Sequence, residues 1–246
     1  MNMGLYATHL LTAGLLAMSS SVHAAPVTPP NFSMAVTTSG VLTSLNGSAL
    51  ALTTVDNSSF STAGSQTLPG MWRYDWTLTV KPDPVISGML SITNMTAATQ
   101  NFDISLNLPV TTAFSPALQS GSLGLTLTDM NNDGLAQLDS QTWTGRIDNA
   151  SAMTLFTTDP LMCFGLGGSG CSATIAPISS GPSIYASGIS NTMGINLLFN
   201  LSAGDKVSFT TNYTVAPVPV PAAVWMFVSA LIPLTASMRK RAITAY

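Results

Sequence analysis

The segment best suited to a chemical role is Asp129-Met130-Asn131-Asn132-Asp133-Gly134. Side-chain oxygens at alternate positions, followed by Gly, match the opening of a calcium loop, D-x-[DN]-x-[DN]-G. Leu135 would add a carbonyl at the seventh position and Gln137 a side chain at the ninth. The twelfth position, where a bidentate Glu belongs, holds Ser140, and Asp139 stands one short. A site built on Asp129, Asn131 and Asp133 would therefore hold Ca²⁺ weakly, at the level of about 10⁻⁴–10⁻³ M found in extracellular modules. The same residues also suit a plain Asx-rich hairpin turn between Leu127 and Leu138, where Asn and Asp-Gly are favoured.

Other chemistries are poorly served. The two histidines, His9 and His23, both precede Ala25, in a stretch with the marks of a cleaved leader. Without them the chain has no imidazole for Ser-His-Asp or Cys-His catalysis, nor for a histidine metal site. All ten acidic residues are Asp, and no spacing pairs two of them as a glycosidase would require. No motif names a nucleophile or a base, so the expectation is a protein that is not an enzyme. Cys163 and Cys171, the only cysteines, are expected to form a disulfide closing a Gly-rich loop. Within that loop Gly165 to Gly170 matches GxGxxG formally, but Pro177 and Pro182 follow where a Rossmann helix should run. Trp72, Tyr74 and Trp76 share one strand face and could stack on sugar rings, although such rows more often fill a sandwich core. Trp143 sits outside a clean alternating run and could face solvent.

The elements that must carry these residues are strands. In Trp72 to Val80 every even residue is apolar and every odd one polar, and Phe102 to Leu108, Leu123 to Leu127 and Val207 to Val215 repeat the pattern. Period-two alternation gives one buried and one wet face, the sign of antiparallel sheets. Pro82-Asp83-Pro84, Asn94, Asp129 to Gly134 and Ala203-Gly204-Asp205 supply the turns. The expected fold is all-β, a single antiparallel β-sandwich of jelly-roll or Ig-like type over residues 25–216. Charged residues make up only 7% of the chain, and Ser and Thr take most wet positions. That leaves edge strands without charge protection and invites self-association. Four cations against ten Asp in residues 25–216 repel phosphate, so nucleic acid is not an expected partner.

Both ends are read as addresses. Residues 1–24 carry an apolar core, Leu10 to Met18, then Ser19 to Ser21 and Val22-His23-Ala24, the pattern of a signal peptide cleaved between Ala24 and Ala25. Residues 217–246 hold Val218-Pro219-Val220-Pro221-Ala222-Ala223, an apolar run over about 222–238, then Arg239-Lys240-Arg241. As a helix, residues 222–238 would span roughly 25 Å, slightly short of a hydrocarbon core of about 30 Å. The basic cluster would stay cytoplasmic and leave residues 25–217 outside.

This three-part tail, with Trp225 and Phe227 in its apolar part, resembles the PEP-CTERM sorting signal, in its VPLPA-type variant. The resemblance implies cleavage by exosortase, a membrane protease of Gram-negative bacteria. It also implies passage through the inner membrane to the cell surface or extracellular matrix, in company with exopolysaccharide. Leu201-Ser202-Ala203-Gly204-Asp205 likewise resembles the Leu-x-x-Gly-Asp hairpin that closes the last two strands of such ectodomains. The function expected is that of an exported, non-catalytic surface or matrix protein. A carbohydrate-binding module with an aromatic face, and at greater remove a secreted hydrolase, are the alternatives.

Overall fold

The computed structural model describes residues 28–46, 50–56, 58–82, 84–157, 160–166 and 169–219. Alternation in sequence becomes alternation in burial. In β5 (Trp72–Lys81) the even residues Trp72 to Val80 are buried and the odd ones lie toward solvent. β7 (Gln100–Pro109) buries Phe102, Ile104, Leu106 and Leu108 in the same manner. Each such side chain contributes about 1.5–3 kcal/mol when buried, so a one-residue slip of register would be prohibitive.

The strands form two antiparallel sheets packed as a sandwich. The first runs β10 (Ala150–Thr157), β9 (Leu135–Ile147), β13 (Thr192–Leu201), β7, β1 (Ser33–Thr38) and β2 (Val41–Asn46). β11 (Leu161–Phe164) pairs with the start of β9, beyond the end of β10. The second runs β12 (Ser172–Tyr185), β8 (Ala117–Thr128), β14 (Lys206–Pro217), β6 (Val85–Asn94), β5, β4 (Phe60–Leu68) and β3 (Thr53–Thr54). From β7 onward the chain crosses repeatedly between sheets. As a result the β8–β9, β11–β12 and β13–β14 connections, distant in sequence, gather at one end of the sandwich.

Between the sheets the core is aromatic. Phe199 of β13 meets Phe209 of β14 at a ring separation of 5.0 Å. Trp143 of β9 meets Tyr213 of β14 edge-to-face at 5.5 Å. Trp143 is thus fully buried, which corrects the expectation that it could face solvent. The reason is a bulge. Ala136 and Leu138 are buried in even phase, whereas Gln141, Trp143 and Ile147 are buried in odd phase. The switch occurs at Ser140, with a positive φ of 53°, where the pairing with β13 shifts register.

The edges differ in protection. β12 carries Pro177 and Pro182, and its pairing with β8 shifts register around each, which discourages further strand addition. β2 has no such device and leaves Val41 and Leu42 exposed. At the other terminus β14 continues through Pro217, which pairs with Ala117, and the Val218 N–H donates to the Pro116 carbonyl at 3.4 Å. The domain boundary expected at residue 216 therefore falls within the last strand. Ala24 and Ala25, Val220 to Ala223, the apolar run over 222–238 and Arg239 to Arg241 lie outside the described residues.

Candidate functional site

The Asp129 loop folds as a closed network of backbone-to-side-chain hydrogen bonds. The Asp129 carboxylate accepts from the Asn132 N–H at 2.7 Å and the Gly134 N–H at 2.9 Å. Asn131 Oδ1 accepts from the Asp133 N–H, and Asp133 Oδ1 from the Leu135 N–H. Asn132 and Gly134 take positive φ, which curls the loop tightly enough for these contacts. Gln137, the expected ninth-position ligand, instead donates its amide to Asp139 at 2.6 Å. Among the described residues no three Asp, Glu, His or Cys side chains already form a metal-ligating group.

The β13–β14 turn packs against this loop. Asn131 Nδ2 donates to the Ala203 carbonyl at 2.9 Å, and Gly204 lies so close that a Cβ there would meet Asn131 Nδ2 at 2.7 Å. Asp205 follows, with no exposed surface. Its Oδ2 accepts from the Ser202 hydroxyl, while Oδ1 is buried without a hydrogen-bond partner. Burial pushes the Asp205 carboxyl above the ordinary carboxylate range. Ser202 opposes that shift, Asp129 and Asp133 add to it, and the facing Met130 N–H lowers it without a hydrogen bond of normal geometry. Asn94 secures the turn from β6, donating its amide to the Leu201 and Ser202 carbonyls. Sequence reasoning missed Asp205 as a neighbour of the loop. Its only local signal was the Leu-x-x-Gly-Asp hairpin, which says nothing of what the carboxyl faces.

The disulfide forms as expected, with Cys163 and Cys171 Cα atoms 5.7 Å apart. It staples a third connection onto the same end. The Asp129 N–H donates to the Cys171 carbonyl at 2.9 Å, and the Gly165 N–H to the Gly134 carbonyl at 2.8 Å. A disulfide closing so short a loop contributes on the order of 2–3 kcal/mol. The Cys163→Ser, Cys171→Ser double variant should lose about that much unfolding free energy in a urea titration. An unchanged midpoint would show that the ladders alone hold this end.

Trp72, Tyr74 and Trp76 do not form a sugar-stacking face, which corrects that expectation. All three are buried between the sheets, with exposures of 0%, 0% and 6%. Tyr74 Oη reaches Met34 Sδ across the core at 3.8 Å, and Trp76 Nε1 donates to Thr62 Oγ1 at 3.2 Å. Their face was chosen by the hydrophobic gain of closing the sandwich, against which a solvent-facing row of three large rings could not compete.

The opposite face of the same strands carries a recessed surface. One outward rung crosses six strands of the second sheet as Ser65, Asp75, Ser91, Ser208, Thr126 and Thr174. The Thr126 and Thr174 hydroxyls bond each other at 3.1 Å. A groove of about 370 Å³ follows this rung past Asp75, Ser91 and Ser208, with Lys206 on its wall. A second hollow of about 190 Å³ continues it, past the shared residues Met89 and Ser208, to Thr174 and Pro177. Arg73, Lys81 and Lys206 all take the outward phase of this sheet, whereas Asp75 is the one Asp on its described strands. Arg73 pairs with Asp75 at 2.8 Å, and Lys206 has no ion-pair partner among the described residues. The remaining described Asp residues lie in connections or on the first sheet.

No family model matches the chain, and no curated protein matches it. Among solved structures, one similar chain is a carbohydrate-binding module, CBM61, in complex with β-1,4-galactotriose. The identity is 10% over 61% of this chain and 92% of that one, with a TM-score of 0.25. A likeness that slight carries no argument about ligand, and the reading of function rests on the residues described above.

Proposed function

We propose that the chain is an exported, non-catalytic protein of the cell surface or extracellular matrix, and that it holds polysaccharide along the outer face of its second sheet. The observation that carries this is the groove whose lining combines Asp75, Ser91, Lys206 and Ser208 with the apolar Met89 and Trp76. Hydroxyls exchange hydrogen bonds readily with a polyhydroxylated chain, and a strand-crossing rung offers them at the roughly 4.8 Å spacing of neighbouring strands. Arg73, Lys81 and Lys206 make this face the basic side of an otherwise acidic domain, which favours an exopolysaccharide carrying acidic sugars. Delivery would use the tail that resembles an exosortase signal, with an exosortase-like protease as processing partner. The Cys163–Cys171 bond supports an oxidising destination outside the cytoplasm.

Affinity electrophoresis through gels containing the host's own exopolysaccharide tests the binding. The wild type should be retarded, and Lys206→Glu combined with Arg73→Glu should lose most of that retardation at low salt. Equal migration of the two, or no retardation of either, would refute the groove as a glycan site.

A further inference from the structure

We propose that the β8–β9 loop and the β13–β14 turn together form a Ca²⁺ site, in which Asp205 supplies the carboxylate that the loop lacks at its twelfth position. The proposal is independent of glycan binding on the sheet face. Asp205 is wholly buried, and its Oδ1 has no hydrogen-bond partner. A buried carboxylate calls for a countercharge. No Lys or Arg supplies one, for the ion pair formed among the described residues is that of Arg73 with Asp75, on the outer face of the second sheet.

The surroundings suit a hard cation. Asp205 lies beside the Met130 N–H and within electrostatic reach of Asp129 and Asp133, the loop's first and fifth positions. Asn131, the third, is bound to the same turn through the Ala203 carbonyl. Leu135 brings a carbonyl at the seventh. Such a set is entirely oxygen and mixes carboxylates with neutral ligands, as Ca²⁺ accepts in six- to eight-fold coordination. Zn²⁺ and copper are poorly matched, since the described residues include no His and the two Cys are joined to each other. The acidic side chains do not already converge on one point. Asp129 and Asp133 are held by the N–H groups of Asn132, Gly134 and Leu135, and Asp205 by the Ser202 hydroxyl, so binding would require the ion's charge to draw them together. The β8–β9 loop and the β13–β14 turn would then be cross-linked, in addition to the disulfide staple at the same end.

Calorimetric titration of the full chain with CaCl₂ alone tests this. Binding heat with Kd of about 10⁻⁴–10⁻³ M is expected, and a rise in Tm of roughly 3–10 °C at about 10 mM Ca²⁺. Asp133→Ala, at an exposed position, and Asp205→Asn should each abolish both signals. Asp205→Asn keeps the buried shape while removing the charge, so it should fold. Amide NMR shifts of the wild type provide the second measurement, with changes expected at Ser202 to Lys206 as well as at Asp129 to Leu135. Absence of heat and of any Tm shift would overturn the site. Wild-type binding by Asp205→Asn, or shifts confined to the loop, would overturn the role of Asp205.

Discussion

Trp143→Ala is expected to lower the unfolding free energy by about 3–5 kcal/mol, the largest loss from any single truncation considered. Trp143 is completely buried and bridges the sheets through its edge-to-face contact with Tyr213. Its Nε1 donates to Thr211 Oγ1 at 2.8 Å, so truncation leaves a buried hydroxyl without its donor as well as a cavity. The cavity cannot collapse readily, because the pair stands on glycine. A Cβ at Gly121 would lie 2.7 Å from the Trp143 ring, and one at Gly145 2.7 Å from the Tyr213 ring. The backbone is therefore already as near to these rings as it can come. Urea unfolding followed by circular dichroism measures the loss, and Thr211→Val, expected to cost about 1–3 kcal/mol, separates the hydrogen bond from the packing. A Trp143→Ala penalty under about 1 kcal/mol would mean that the indole is not a keystone of this core.

Loss of the tail's basic tip should have the largest effect on the protein's fate. Deleting Arg239 to Arg241, or replacing Pro219, Pro221 and Ala222 together, is expected to strand the precursor in the inner membrane and nearly abolish surface delivery. On the proposed reading, an apolar run slightly short of the bilayer core would act as a temporary hold, and the cationic tip would set its orientation so that the Pro-rich segment stands outside. The chain enters that segment directly from β14, with Val218 still tied to Pro116. Cell fractionation, with mass spectrometry of protein recovered outside the cell, reads the result. The exported chain should begin at Ala25 and lack Tyr246, and normal delivery of both variants would refute the sorting assignment.

The sandwich and its core were largely legible in the sequence, because period-two burial is a local property. Trp72 to Val80 announces its inner face by alternation alone, and so does Phe102 to Leu108. Alternation does not say what lies beyond either face, however. The aromatic row of β5 was open to two readings, and only the second layer, closing over it, decided for the core. Trp143 was obscured for a related reason. The bulge at Ser140 changes phase in mid-strand, and a phase change is invisible until the partner strand shows where the pairing shifts. The outward hydroxyls were evident as composition, but their alignment across six strands depends on register.

The acidic end shows most clearly where the division falls. The one-dimensional chain determined the Asp129 loop, because its Asx oxygens accept from backbone N–H groups no more than five residues away. It determined the Cys163–Cys171 staple too, since two cysteines on one short loop had no other partner. The placing of Asp205 against that loop was decided only in three dimensions, by a chain that passes from sheet to sheet between β8 and β14 and returns to the same end. Local bonding is written in neighbouring residues, whereas a charge's surroundings depend on which distant strands the core has brought beside it.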